Sequence, residues 1–377
     1  MAGGTSSVIR DLLEHARTPG MISFAGGLPD PDSFPAGRLA ELSSAVLDRG
    51  RVLQYGLTRG EPEACLSLAT LFGGADPDDL LITAGSQQAL DLLVRSLVDP
   101  GDAVVCGDPD YLGFLGVVRG ARARLHPMPV DEHGLDTEAL QVALARGLRP
   151  RLCYVVPHFH NPTGATIARE RWAQLRALSA RYGFIVIEDD PYRELHFRAA
   201  PDDVAPDPDL TVRLRTTSKV LAPGLRIGAL EAPRGLRRAL EIEKQGVDLH
   251  TSTVTQAIAA GAVGADWFPG HLDALRSRYR ERCQRFVTLL QDGLGGRVEF
   301  VEPDGGMFLW ARFQGVDTEA WLPRALAAGV TFVPGSAFAS NDGEARRHRE
   351  RARLSFATAS PVEMADGVAR LAATIEG

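Results

Sequence analysis

From about residue 80 to residue 263 the chain alternates short apolar runs with longer stretches in which apolar residues recur every three or four positions. The short runs are Leu81 to Thr83, Asp102 to Cys106, Leu152 to Val156, Phe184 to Ile187, Val212 to Arg215, and a run from Ile227 through Ala232. Most are nearly continuous, as strands buried on both faces of a sheet are; Val212-Arg213-Leu214-Arg215 instead alternates at period two. Between them, amphipathic spacing predicts a helix after Gly85 with Ala89, Leu90, Leu93 and Leu97 on one face. It predicts two more from Asp136 to Ala145 and from Arg169 to Arg181, the last with Trp172, Leu175 and Leu178 in a stripe. Strand and helix in repeated alternation indicate an α/β layer. After a long helix from Trp267 to Leu290, the runs Val298 to Val301, Met307 to Trp310 and Ala352 to Ala357 read as strands of a second lobe. Helices through Trp321 and Leu326, and from Val362 to Ile375, complete it. At the front, Val8 to His15 predicts a short helix. Leu28 to Pro35 holds three prolines and cannot be one, so it should form an arm laid across another surface.

With 377 residues there is room for two lobes, and 45% hydrophobic with 24% charged residues is ordinary for a soluble globular enzyme. A formal net charge of −7 argues against nucleic acid or an anionic membrane as partner. The Arg-rich stretch Glu344 to Arg351 interleaves acids with bases and reads as a solvated face. No apolar stretch is long enough to span a bilayer, and the N-terminus lacks the pattern of a secretory leader. Four cysteines, Cys65, Cys106, Cys153 and Cys283, lie far apart with no C-x-x-C pair, as buried thiols of a reducing compartment do. A cytoplasmic location is expected.

The chemistry is expected around Lys219. It follows a strand, sits between small hydroxyls in Thr216-Thr217-Ser218-Lys219, and precedes a Pro- and Gly-rich turn ending at Arg226. A buried lysine offers a Schiff base with an aldehyde, because desolvation and nearby cations depress its pKa. Thr216, Ser218 and Arg226 then suit a phosphate; an ordinary loop lysine is the alternative. Ser86 and Gln87 open a helix, whose free N–H groups also suit a phosphate, with Ser86 as N-cap. Asp189 and Asp190 stand at the carboxyl end of a buried strand, where open α/β sheets bind ligands; a metal ligand, a cap, or the partner of a ring nitrogen all fit there. His158 and His160 could face one way and hold a metal, but no third ligand lies close in sequence, and His160 reads better as polar lining or substrate contact. Arg353 lies in an apolar strand and asks for an anion, either a ligand carboxylate or an internal acid.

Tyr55-Gly56, Gly85-Ser86-Gln87, Tyr111, Asn161-Pro162-Thr163-Gly164, Asp189-Asp190-Pro191-Tyr192, Lys219 with Arg226, and Arg353 occur in this order over nearly the whole chain. The set resembles the fold-type I PLP-dependent aminotransferases of class I/II. Ile22 to Pro29 and Leu221 to Arg226 resemble the subgroup of 2-aminoadipate aminotransferases and the aminotransferase-like half of MocR-type regulators. The resemblance implies an α/β fold: a large domain (38–265) with a mostly parallel seven-stranded sheet between helices, a smaller α+β domain (266–377), and an N-terminal arm and helix (1–37). It implies pyridoxal 5'-phosphate (PLP) as cofactor and no metal. Lys219 would carry the cofactor as a Schiff base and then act as base; Asp189 would pair with the ring nitrogen, and Tyr192 and Asn161 would reach the phenolic oxygen. Tyr111 would stack on the ring, and Ser86, Gln87, Thr216, Ser218 and Arg226 would clamp the phosphate. Tyr55 would join that clamp from the neighbouring subunit of a homodimer. Gly27, Asn161 and Arg353 would meet the substrate, Arg353 at its carboxylate.

The implied activity is ping-pong transfer of an amino group between an L-amino acid and a 2-oxo acid, possible in specialised biosynthesis. A PLP-dependent oxidase, decarboxylase, lyase or cyclase is the alternative on the same fold. A PLP-binding regulatory module is a weaker one, since only some twenty residues precede Ser23. Substrate identity is open. Asp110, His158 and His160 depart from the subgroup, and an acid at 110 would favour a cationic side chain such as a guanidine.

Overall fold

The computed structural model describes residues 18–201 and 207–375; the helix expected at Val8 to His15 lies outside them. The large sheet runs, edge to edge, through Leu80–Thr83, Gly228–Glu231, Thr211–Thr216, Ile185–Asp189, Pro150–Val155, Ala103–Asp108, Arg124–Asp131 and Gly134–Leu135. Six of these strands share one direction; Gly228–Glu231 and Gly134–Leu135 run against their neighbours. The seven strands expected are therefore joined by an eighth of two residues. Arg124–Asp131 escapes the sequence pattern because it carries Pro127 and Pro129. Its position near the sheet edge accommodates them: Pro129 turns its carbonyl outward, where the Asp136 amide donates to it.

Helices cover both faces. Ser86–Leu97 buries Ala89, Leu90, Leu92, Leu93 and Val94 on one side. Thr137–Ala145 and Arg169–Tyr182 bury Leu140, Leu144, Trp172, Leu175 and Leu178 on the other. With both faces dry, continuous apolar strands are what the sheet needs. The strand Thr211–Thr216 is buried throughout in spite of its two arginines, because Arg213 pairs with Glu231, and Arg215 with Glu188 and Asp190. From Ala103–Asp108 the chain steps outward to Arg124–Asp131, then returns to lay Pro150–Val155 on the opposite side. That reversal opens a crevice at the carboxyl ends of the strands, the place where such sheets bind ligands.

The helix Phe268–Leu294 leads to a four-stranded antiparallel sheet of Val298–Glu299, Phe308–Phe313, Arg351–Ser355 and Val333–Pro334. The arm joins this part of the molecule. Ile22–Ser23 pairs with Val330–Thr331, and the carbonyl of Phe24 accepts from the Ser355 amide at 2.7 Å. Asp30 is buried against Arg278 and Arg282, and its amide donates to the Tyr279 hydroxyl at 3.0 Å. The proline-rich segment does contain one helical turn, a 3₁₀ turn at Pro31–Ser33, with Asp30 capping it and Pro31 at the first position, where its missing N–H costs nothing.

Candidate active site

Each chemically active stretch follows the carboxyl end of a strand. Ser86 follows Leu80–Thr83, Tyr111 follows Ala103–Asp108, Asn161 follows Pro150–Val155, Tyr192 follows Ile185–Asp189, and Lys219 follows Thr211–Thr216. They converge on a cleft of about 860 Å³. Of the residues singled out from sequence, Gly27, Ser86, Gln87, Tyr111, Asn161, Asp189, Tyr192, Thr216, Ser218, Lys219, Arg226 and Arg353 all line it. Tyr55 does not. It stands 79% exposed at a loop beside His250, with ring centroids 5.9 Å apart.

Lys219 is half-buried, and its Nζ donates to the Gly27 carbonyl at 2.8 Å. Burial, with Arg353 and Arg226 adding to it against Asp189, lowers its pKa to about 8, so a neutral amine is readily available. Asp189 is 3% exposed. Tyr154 donates to its Oδ2 at 2.9 Å, while its Oδ1 is buried with no hydrogen-bond partner among the described residues. Burial raises its pKa to about 7, the Tyr154 hydrogen bond opposing. Tyr154 is itself fixed by stacking on Phe114 at 3.9 Å.

Gly85, not Ser86, is the N-cap of Ser86–Leu97; at φ +83° it is a position suited to glycine, and a Cβ there would come within 2.7 Å of Arg226 Nη2. The first-turn amides therefore lack a side-chain cap, and Ser86 Oγ is shielded from solvent without a partner. Arg226 donates to the Ala84 carbonyl at 2.9 Å, and the Thr216 hydroxyl donates to Ser218 Oγ at 2.9 Å. Helix N-terminus, hydroxyls and guanidinium together form an anion cradle.

Arg353 is 1% exposed, packed over Phe308 at 4.3 Å and Phe338 at 5.0 Å. It donates to Asn161 Oδ1 at 2.8 Å and to the Ala25 carbonyl, its Nε has no partner, and no described carboxylate pairs with it. Burial lowers its pKa to about 10. A buried cation without an acid is costly, so the place is built for an incoming anion rather than an internal ion pair. Tyr192 packs edge-on against Phe308 at 5.7 Å, with burial raising its hydroxyl pKa. The Tyr111 hydroxyl lies 3.3 Å from Gln87 Oε1.

Two expectations are corrected. Asp110 does not face a substrate: it is buried outside the cleft, with Oδ2 accepting from the Gly107 amide at 2.6 Å and Oδ1 from the Tyr111 amide at 2.6 Å. His160 lines no part of this cleft either; it lies 3.3 Å from Asp110 Oδ1 and 2.9 Å from Thr163 Oγ1. His158 turns instead to Asp190, at 2.7 Å. The two imidazoles serve different carboxylates, and no group of three metal-ligating side chains exists among the described residues. Sequence reasoning also missed Tyr154, which reads as one more apolar strand position, and Phe308 and Phe338, which form the box around Arg353.

The orphaned atoms match PLP: Asp189 Oδ1 for a ring N–H, Ser86 Oγ and the bare helix start for a phosphate, and Lys219 for an aldehyde. The sequence profile of the family described as Aminotransferase class I and II matches residues 19–371. The aromatic-amino-acid aminotransferase 1 of Thermococcus litoralis is 35% identical across 99% of this chain and 92% of its own length. The 2-aminoadipate transaminase of Thermus thermophilus is 37% identical across 99% and 94%. A crystal structure of the alpha-aminoadipate aminotransferase of Thermus thermophilus, complexed with N-(5'-phosphopyridoxyl)-L-leucine, superposes with a TM-score of 0.89 at 35% identity, covering 99% of this chain and 95% of that one. On this family match, full-length identity and shared fold, the chain belongs to the aminotransferase class I and II family and is a PLP-dependent transaminase.

Proposed function

We propose that the cleft moves the amino group of an L-amino acid to a 2-oxo acid, with the residues lining it in the following roles. The carrying observation is the pairing, within one cleft, of a lysine with lowered pKa and a buried aspartate whose Oδ1 awaits a donor. Lys219 would hold PLP through its amine, Asp189 would accept from the ring N–H, and Tyr111 would cover the ring. Ser86, Gln87, Thr216, Ser218 and Arg226 would hold the phosphate, and Asn161 and Tyr192 the phenolic oxygen. When bound, PLP supplies an electron sink for the bond broken at the substrate α-carbon. Arg353 orients the substrate by its carboxylate, already aimed by Asn161 and Phe308. Lys219 Nζ, whose pKa lowered to about 8 makes its neutral form accessible, takes the proton from the α-carbon.

Leu28, Leu112, Gly113 and Val117 also line the cleft, as do Asp91 and Arg95, which form an ion pair. Asp110, the acid expected to favour a guanidine side chain, does not line the cleft. The unit 38–265 would hold the cofactor, the unit 266–377 and the arm 1–37 would complete the substrate end, and the site would belong to a cytoplasmic enzyme of amino-acid metabolism. Leu53, Tyr55, Leu57 and Leu66 are each more than half exposed, an apolar group suited to burial in a homodimer that would carry Tyr55 to the neighbouring site. The test is a single half-reaction: enzyme loaded with PLP, given a panel of donors and no acceptor, should release one equivalent of 2-oxo acid per site. Carbon dioxide, peroxide or continued turnover without acceptor would instead mark a decarboxylase, an oxidase or a lyase. Sedimentation showing a monomer at working concentration would refute the shared site.

A further inference from the structure

Of the 41 basic residues in the chain only two are lysines, Lys219 and Lys244. Lys244 is 0% exposed, on the helix Arg234–Asp248, and lies outside the cleft. Its ammonium donates to Asp248 Oδ1 and Oδ2 at 2.7 and 2.8 Å and to Gln88 Oε1 at 3.1 Å, so three donors meet three acceptors. Gln88 Nε2 donates to Asp248 Oδ2 at 2.6 Å, which closes the triangle. The same Gln88 Oε1 accepts from the Ala84 amide at 2.8 Å. Ala84 thus has its N–H held from one side by this triangle and its C=O from the other by Arg226, at 2.9 Å. Ala84-Gly85-Ser86 is the turn whose geometry leaves the helix start bare toward the cleft.

We infer that Lys244, Asp248 and Gln88 are positioning residues for the phosphate-holding turn. They touch neither ring nor substrate; they set the direction of Ala84 and hence of the Ser86 and Gln87 amides. An ammonium suits the place because it is compact and offers three donors from one atom, where a planar guanidinium would not fit the triangle. The inference rests on the proposed reading of the cleft as a PLP site, and it predicts an effect on the phosphate end alone.

The test compares the binding of PLP and of pyridoxal, which lacks the phosphate, to cofactor-free wild type, Lys244→Met and Gln88→Leu, followed by the absorbance of the bound aldehyde. Both variants should bind PLP about tenfold more weakly, the scale of one lost buried hydrogen bond to a charged group, with pyridoxal affinity held within about twofold. The pair Gln88→Glu with Asp248→Asn transposes the charge and keeps the 88–248 hydrogen bond and the acceptor for the Ala84 amide, at the loss of one of the two contacts between Lys244 and residue 248, and should bind PLP more tightly than Gln88→Leu. Unchanged PLP binding in both variants would overturn the inference, as would an equal loss for PLP and pyridoxal, which marks a general packing defect. Wild type that binds neither aldehyde would overturn the reading of the cleft itself, a separate result.

Discussion

Three consecutive acids, Glu188 and Asp189 at the end of the strand Ile185–Asp189 and Asp190 just past it, live in opposite surroundings. Glu188 and Asp190 point into a charged layer with Arg215 and His158: Arg215 lies 3.0 Å from Glu188, and His158 lies 2.7 Å from Asp190. Burial raises the Asp190 pKa, but His158 and Arg215 outweigh it and hold the group below its usual range. Asp189, one residue away on the other face, has no ion pair among the described residues, and burial carries it to about 7 with Arg215 opposing from a distance. The alternation of a β-strand thus separates charges settled inside the fold from one left open for a ligand. An acid with cations around it holds structure together. An acid hydrogen-bonded by a phenol at one oxygen, with the other left bare, waits for something to bind.

That contrast can be broken or sharpened in order of expected effect. Asp189→Asn should lower kcat of the half-reaction ~10³-fold with PLP still bound, as seen in stopped-flow absorbance, because an amide no longer favours a charged ring. Asp190→Asn should do the reverse: it leaves Arg215 and His158 short of an anion, so unfolding by urea should show a loss of about 3 kcal/mol, with kcat much less affected. If the two variants lost catalysis equally, the division into open and settled acids would fail. Arg353→Gln should raise KM for the amino donor about 100-fold with a smaller change in kcat, since a charge-assisted pairing is lost. Tyr154→Phe removes the donor to Asp189 Oδ2 and should cost about 1 kcal/mol in PLP affinity, read by titration.

The same contrast sets a pH dependence of stability in the cofactor-free protein. The folded-state pKa of Asp189, about 7, exceeds its unfolded value of 3.8, so its contribution is full below pH 3.8 and is lost as pH rises through 7. Asp189→Asn should flatten that part of a melting-temperature profile, and an unchanged slope would mean that Asp189 titrates normally.

The strands and helices of the large sheet were legible because both faces are dry, so apolar runs and stripes carried the signal. Lys219, Asp189 and Arg353 were legible because charge in an apolar run is conspicuous. Direction was not. Asp110 and His160 stand beside cofactor-facing residues in sequence, yet their side chains turn to each other and to the backbone, which only the local turn decides. Tyr154 was hidden because a tyrosine within an apolar strand carries no sign of which acid its hydroxyl will meet. Arg124–Asp131 was hidden by prolines that an edge tolerates and a central strand would not.

The scarcity of lysine has a practical outcome. With one side-chain amine sealed inside a helix contact and the other in the cleft, the folded exterior offers no lysine to amine-directed dyes, cross-linkers or excess aldehyde. Among side-chain amines, an adduct trapped by borohydride should fall on a single peptide, so mass spectrometry of one digest can count occupied sites without a surface background.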